Sequence, residues 1–340
     1  IELINFNLVY PINKEVLKSI CANKKEVIII EDQDGFLENQ LKMECFDFLP
    51  KKLIGKNTFP QYGEIKFDVI EEFFKDRFEL KIQAKSNPID MVVPERIGTF
   101  CEGCPHTGSF YSINEALSGV DAIIGGDIGC SSLAPFKADW LLCMNAGIGI
   151  TQGIAAVSKQ TIVSTGGDGS FFHGGALSLL NAVQNKQDLI HLVFDNETVA
   201  MTGHQDSPSS TEFDHHSFLT SLGVDKIIDV NPYFPNDYAD KLKNELPNSG
   251  VRVFWVKGAC VIKGNDYIES RRNILYPEID NSKCNGCSKC YTELGCPAII
   301  DLKNGKDQRL KIDLNRCVRC GVCHEICPND AISIHKTEKQ

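Results

Sequence analysis

No apolar run in this sequence approaches the roughly 20 residues of a membrane span, and no signal-peptide pattern opens it, so a cytoplasmic protein that meets no membrane is expected. A basic excess is also missing. Lys and Arg number 35 against 45 acidic residues, and the formal charge of −10 argues against nucleic acid and for small molecules or protein partners. Disorder is excluded by a hydrophobic content of 42%, and 340 residues suffice for two or three domains around a large core. The first residue is Ile1 rather than Met, so a fragment or a processed product is expected. The glycine-rich stretch GGDGSFFHGG (166–175) has no lysine, which removes the Walker reading. NAGIGITQG (145–153) is not GxGxxG, and no acidic residue follows about 20 positions on at a strand end, so it does not favour NAD.

What the chain has is cysteine, 15 residues of it, with eight packed into 284–327. A disulfide scaffold would scatter them, whereas CxxCxxC runs without a secretory leader indicate metal ligation in a reducing compartment. The first half reads Cys284-x2-Cys287-x2-Cys290-x5-Cys296-Pro297, the second Cys317-x2-Cys320-x2-Cys323-x3-Cys327-Pro328. Three thiolates at such intervals wrap three irons of one cube, and the remote cysteine before proline ligates the other cube. Cys284, Cys287, Cys290 and Cys327 are thus expected to hold one 4Fe–4S cluster, and Cys317, Cys320, Cys323 and Cys296 a second. The alternative is a pair of structural zinc sites, but zinc requires neither triple runs nor Cys-Pro endings. The tail resembles a bacterial two-cluster ferredoxin with two extra residues before Cys296.

Short apolar runs from 101 to 262 (DAIIGGD, ADWLLCM, TIVSTGGD, DLIHLVFDN, VRVFWVKG) are continuous rather than alternating, as in strands buried on both faces of a parallel α/β sheet. Before them, EVIIIEDQ (26–33) reads as a strand, GFLENQLKMECF as an amphipathic helix, LPKKLIGKNTFPQYGE (49–64) as a loop, and KSNPIDMVVPERIG (85–98) as linker.

TIVSTGGDG reads as a strand ending in a glycine turn, GALSLLNAVQNK (174–186) as the helix behind it and LIHLVFDN (189–196) as the next strand. Asp168 and Asn196 then stand at the carboxyl ends of neighbouring strands, where open α/β sheets bind ligands. An acid within a phosphate-cradling turn requires a cation between them, and a carboxylate with an amide oxygen suits Mg²⁺. A βαβ turn with a solvated Asp is the alternative. Cys101 and Cys104 (CEGCPH), Cys130 (GDIGCSS) and Cys260 (KGACVI) could reach the same edge, whereas Cys21, Cys45 and Cys143 read as inert packing.

Gly167-Asp168-Gly169, 26 residues and then Asn196 resembles the motif of thiamine-diphosphate enzymes. With CEGCPHTGSFYSI (101–113), GGDIGC (125–130), DNETVAMTGHQ (195–205) and the tail, the chain resembles the 2-oxoacid:ferredoxin oxidoreductases. That resemblance implies a parallel-sheet thiamine-diphosphate-binding domain over 99–275. A transketolase-C-like α/β segment over 1–80 and a linker over 81–98 precede it, and a ferredoxin-like α+β domain over 280–336 follows. It implies Mg²⁺ on Asp168, Asn196 and the Thr198 carbonyl. Cofactor contacts would come from Gly103, Cys104, His106, Asp127, Gly167, Asp168, Gly169, Asn196, Thr198, Met201 and Thr202. An inner third 4Fe–4S cluster would sit on Cys101, Cys104, Cys130 and Cys260. Glu102 stands where the family pattern has proline. The implied reaction is oxidative decarboxylation of a 2-oxoacid, an aryl pyruvate first, with coenzyme A acylated and ferredoxin reduced. His106, His173 and His204 would be candidates for diphosphate or substrate contact. The pyrimidine-binding domain and its activating glutamate resemble nothing here, so another chain or segment, a smaller second subunit and a hetero-oligomer are expected. A non-oxidative decarboxylase and a non-catalytic electron-transfer subunit are the alternatives.

Overall fold

The computed structural model describes residues 1–22, 24–79, 98–134, 138–272, 275–304 and 307–336. The expected linker over 81–98 lies, except for Gly98, outside the described residues. The chain divides into two compact units, Ile1–Pro94 and Glu95–Gln340.

In the first unit α1 (Lys14–Cys21) starts at Asn13, whose side-chain oxygen accepts from the backbone N–H groups of Glu15 and Val16. A parallel pair follows, β1 (Glu26–Ile28) and β2 (Lys52–Ile54), with α2 (Phe36–Glu44) crossing between them, and α3 (Phe67–Phe78) is the last element among the unit's described residues. Leu17, Cys21, Ile29, Leu41 and Cys45 form its core, so Cys21 and Cys45 are packing residues as expected. The segment 49–64, expected to be loop, contains β2. Leu53 and Ile54 pair with Val27 and Ile28, and a three-residue strand is too short to show a period.

The second unit begins with α4 (Pro105–Leu117), β3 (Ala122–Asp127), β4 (Trp140–Leu142), α5 (Ala146–Ala155) and β5 (Thr161–Gly167). One helical turn, α6 (Asp168–Ser170), runs through a π-turn (Phe171–Gly175) into α7 (Ala176–Gln184). Then come β6 (Leu189–Asp195), α8 (His215–Ser221), β7 (Lys226–Val230), α9 (Pro235–Glu245) and β8 (Val251–Lys257). The six strands form one wholly parallel sheet in the order β4-β3-β5-β6-β8-β7. Ile190, Leu192 and Phe194 of β6 pack toward α4 and α9, while Leu189 and Val193 pack with α5, α7 and α8. Burial on both faces accounts for the continuous apolar runs. β7 went unpredicted: its KIIDV is an edge strand whose charged Lys226 and Asp229 interrupt the run. Cys143, expected as packing, is exposed, because it follows the edge strand β4 into a turn.

The remaining elements are α10 (Asp266–Arg272), β9 (Leu275–Ile279), α11 (Lys289–Thr292), β10 (Ile299–Asn304), β11 (Asp307–Ile312), α12 (Val322–Glu325) and β12 (Ile332–Lys336). β9 pairs antiparallel with β12, and β10 with β11. Tyr111 of α4 and Tyr233 share one core with Leu294, Ile299, Val322 and Ile326, which seats the tail against the sheet domain.

His191 lies mid-β6, buried, with Nδ1 2.8 Å from the Ser164 hydroxyl, and burial depresses its imidazole from 6.5 to about 3. A depressed histidine stabilises the folded form above its unfolded value, and that stability is lost as pH falls, because only the unfolded chain takes up the proton. Stability should therefore fall as pH drops from 6.5 toward about 3, with a contribution from this site of up to about 1.4 kcal/mol per pH unit. Denaturant unfolding of His191→Gln should show a correspondingly shallower slope. An unchanged slope would contradict the assignment.

Candidate functional site

The carboxyl edge of β5, β6 and β8 gathers the expected acids and amides. Gly167 pairs with Phe194, and Asp195 with Lys257, so Asp168, Asn196 and Gly258 leave three adjacent strands at one level. Asp168 is buried, and its carboxylate accepts from the Gly169 N–H at 2.8 Å and from the Ser207 and Ser209 hydroxyls at 2.6 Å each. Burial pushes its carboxyl above the ordinary value, Ser207 and Ser209 pull it down, and the Asp195 charge adds to the rise. A cation would hold the same carboxyl ionised.

Asn196 lies with its amide against the same carboxylate and also accepts the Thr198 N–H at 3.3 Å. Its amide oxygen faces two acceptors, Asp168 Oδ1 at 3.2 Å and the Thr198 carbonyl at 2.6 Å. A free amide relieves this by turning over and donating to both. A hard divalent cation relieves it by making ligands of all three oxygens. Asp168, Asn196 and Thr198 are therefore brought together as a set that fits Mg²⁺. A Cβ at Gly167 would meet nothing within 4 Å, leaving room at the turn, while one at Gly169 would come within 2.8 Å of Val199. Ser207 and Ser209, unforeseen from the sequence, reach Asp168 because the segment after β6 folds back, with Val199 bridged to Gln205 and the Ser210 hydroxyl donating to the Glu197 carbonyl.

The other expected contacts divide. Asp127 ends β3, but its oxygens accept from the N–H groups of Asn145 and Gly147 and from the Ser170 hydroxyl, so it holds the turn into α5. His106 is buried between Phe100 and Phe194, and burial depresses it to about 4, so it is neutral packing at physiological pH. Met201 and Thr202 lie at the exposed turn of the same segment, Thr202 donating to the Gln205 side chain. His173 is exposed in the π-turn, and His204 has a buried Nε2 without a partner.

Cys101 and Cys104 precede α4, Cys130 follows β3, and Cys260 follows β8. Three of the four thiols are raised, each chiefly by burial: Cys104 also by the charges of Cys130, Cys101 and Cys260, Cys130 by those of Cys260 and Cys101, and Cys101 by those of Cys260 and Glu102. The Cys260 N–H donates to the Asn196 carbonyl at 3.0 Å, joining this set to the cation set through one backbone bond. Tyr233 donates to the Gly103 carbonyl at 3.0 Å and Asn265 donates both to Tyr233 Oη at 2.9 Å and to the Ala259 carbonyl at 2.5 Å, fixing the 101–104 and 259–260 segments together. No sequence spacing pointed to these two residues.

In the tail, Cys284, Cys287, Cys290 and Cys327 line one apolar cavity with Leu310 and Ile332. Cys296, Cys317, Cys320 and Cys323 line another, which Cys104 also reaches. Burial drives Cys290 and Cys296 up to about 12, reinforced by thiols of their own sets, so these cavities favour neutral thiols until a metal displaces the protons. Cys317 and Cys327 sulfurs accept the N–H groups of Arg319 at 3.4 Å and Ala331 at 3.2 Å. Tetrahedral zinc would draw its thiolates to about 3.8 Å. Among the described residues, the one group of three metal-ligating side chains within 4.8 Å of one another is His215, His216 and Asp229, and it includes no cysteine. The wider thiol spacing suits a cube rather than a single ion.

Glu102 pairs with Arg316 at 2.7 and 2.9 Å, tying the CEGC loop to the residue before Cys317. Gly103 has φ +74°, and a Cβ there would lie 2.2 Å from Val318. Hence the loop and the second tail cavity come closest at a position where only a glycine fits.

Comparison with known proteins completes the description. Residues 127–255 match the family profile of the thiamine pyrophosphate enzyme C-terminal TPP-binding domain, and 310–333 that of the 4Fe-4S binding domain. The protein thus joins a thiamine pyrophosphate enzyme domain of parallel-sheet fold to a ferredoxin-like iron–sulfur region. In particular, over nearly its whole length it is homologous to subunits named indolepyruvate oxidoreductase subunit IorA. It is 29% identical to the Archaeoglobus fulgidus subunit over 99% of the chain and 58% of that subunit. With the Methanothermobacter thermautotrophicus subunit it shares 30% identity over 98% of the chain and 56% of that subunit. The chain therefore spans little more than half the length of these relatives. A solved 2-oxoglutarate:ferredoxin oxidoreductase from Magnetococcus marinus, with 2-oxoglutarate, coenzyme A and succinyl-CoA bound, overlaps 52% of this chain and 70% of its own at 19% identity and a TM-score of 0.44. No helix among the described residues is long and apolar enough to cross a membrane.

Gly103→Ala should cost about 1–3 kcal/mol in denaturant unfolding, because it strains a left-handed position and drives a methyl into Val318. Unchanged stability would mean that the two loops do not meet as described.

Proposed function

We propose that this chain supplies the diphosphate-binding half of the active site and the electron exit of a thiamine-diphosphate-dependent 2-oxoacid:ferredoxin oxidoreductase, acting on an aryl pyruvate such as indolepyruvate and acylating coenzyme A. The observation that carries the reading is the Cys260 N–H bond to the Asn196 carbonyl, which ties a four-cysteine set to the cation-binding edge. A cofactor that yields electrons and a group that removes them would then be held by adjacent strand ends.

Asp168, Asn196 and the Thr198 carbonyl would hold Mg²⁺, with Ser207, Ser209 and the Gly169 N–H orienting the carboxylate. When bound, thiamine diphosphate supplies the electron sink for loss of CO₂ from a 2-oxoacid. The Gly167–Gly169 turn would hold the diphosphate, Gly167 leaving room for it. Cys101, Cys104, Cys130 and Cys260 would hold an inner 4Fe–4S cluster, and the two tail sets one each, giving one-electron carriers toward a ferredoxin. Because Cys104 borders the cavity of Cys296, Cys317, Cys320 and Cys323, that set would stand nearer the inner one. We assign 1–80 to a transketolase-C-like domain, 99–275 to cofactor binding and 280–336 to electron transfer. The activating glutamate would come from a pyrimidine-binding segment outside this sequence, with a smaller second subunit completing a hetero-oligomer. The indolepyruvate preference rests on the names of the homologues alone.

Asp168→Ala should abolish Mg²⁺-dependent thiamine-diphosphate binding in a calorimetric titration while iron content stays constant; full retained affinity would overturn the cation assignment. In the complete complex, Cys320→Ser should leave cofactor binding and CO₂ exchange largely intact and collapse ferredoxin reduction. Reduction at an unchanged rate with that cluster demonstrably absent would remove the tail from the route.

A further inference from the structure

We propose that His215, His216 and Asp229 form a separate site for one divalent transition-metal ion of the zinc class. His215 Nε2 lies 2.7 Å from Asp229 Oδ1, His216 Nε2 lies 2.6 Å from Asp229 Oδ2, and all three ligand atoms fall within 4.8 Å of one another. Two adjacent residues of a helix ordinarily diverge by about 100°, so their convergence on one carboxylate is a specific arrangement. It is also preorganised. The His215 ring stacks on Trp255 with centroids 4.7 Å apart and planes at 14°, which fixes the direction of its Nε2.

The donor set selects the ion. Two imidazoles with one carboxylate suit zinc, cobalt or nickel, whereas magnesium takes oxygen ligands and iron–sulfur clusters take thiolates. His216 and Asp229 side chains are 53% and 54% exposed, so solvent can fill the fourth position of a tetrahedral ion. Other charges nearby work in both directions. Asp214 caps α8 through the Ser217 N–H and adds negative charge. The positive end of α8 opposes a cation, as does Lys241, whose Nζ lies 3.4 Å from the Asp229 carbonyl but is engaged by Asp237 at 2.9 Å.

An ion here would staple the start of α8 to the edge strand β7. It would also brace the strand end carrying Asn196, because Trp255, beneath His215, donates Nε1–H to Asp195 Oδ2 at 2.8 Å. The site does not depend on the proposed reaction.

The test uses the cluster-loaded chain under anaerobic conditions, dialysed against micromolar Zn²⁺, with zinc and iron counted together. The wild type should hold one more zinc per chain than His216→Ala or Asp229→Asn, at equal iron, and zinc should raise the melting temperature of the wild type only. Both substitutions fall on half-exposed side chains, so the fold should survive them. Asp168→Asn should retain the extra zinc, and its loss there would mean that the ion occupies the oxygen-ligand edge instead. Equal zinc in wild type, His216→Ala and Asp229→Asn, or none in the wild type, would overturn the site.

Discussion

The parallel register of β5, β6 and β8 is the constraint on which the rest of the second unit depends. It brings Asp168, Asn196 and Cys260 to one level although they are far apart in sequence, and the Cys260 N–H to Asn196 carbonyl bond closes that level. A one-residue slip would turn His191 and the flanking aliphatics from one helical layer to the other, so burial on both faces enforces the register. The chemistry at the edge is thus inherited from packing beneath it. Asp168 can be buried and short of charge compensation because the strands below leave it no route outward, and Ser207 and Ser209 supply only partial relief.

Much of this was legible in the sequence, for reasons that differ by element. β3, β5, β6 and β8 announced themselves because burial within the sheet demands unbroken apolar runs, the short edge strand β4 because its three residues are all apolar, and the tail cysteines because ligand geometry demands fixed spacing. The pairing of Asp168 with Asn196 followed from the sheet-edge rule. By contrast, β2 and β7 are three and five residues long and half exposed, so no run marks them. Ser207, Ser209, Tyr233 and Asn265 act through chain reversals rather than spacing, and serine in a Pro-containing loop carries no signal of its target. Asp127, expected at the cofactor, holds the turn into α5, its carboxylate accepting from Asn145, Gly147 and Ser170. The interior position of His106 came from Phe100 and Phe194, which only the fold brings beside it.

The cysteine cavities show how an apolar interior and metal chemistry are coupled. Their walls are aliphatic, and the hydrophobic core of the tail includes Cys323 while Cys290, Cys296, Cys317, Cys320 and Cys327 pack against it. Such surroundings hold the Cys290 and Cys296 thiols protonated, so a metal bound there would be what drives their proton loss. The N–H groups of Arg319 and Ala331, aimed at Cys317 and Cys327, then provide the polar contact that the walls withhold.

The shared core of Tyr111 and Tyr233 with Leu294, Ile299, Val322 and Ile326 bears on how such a chain can be assembled from parts. Ferredoxin folds are commonly pictured as cassettes that recombine freely between genes. Here the cassette has no outer wall on one side, and β12 has its strand partner, β9, upstream of the first tail cysteine. Excising the tail would strip its aliphatic side chains from Tyr111 and Tyr233 and leave those rings uncovered, and grafting in a self-contained ferredoxin would bring polar surface against them. The iron–sulfur half and the sheet domain are therefore expected to diverge together, each restricting which substitutions the other can accept.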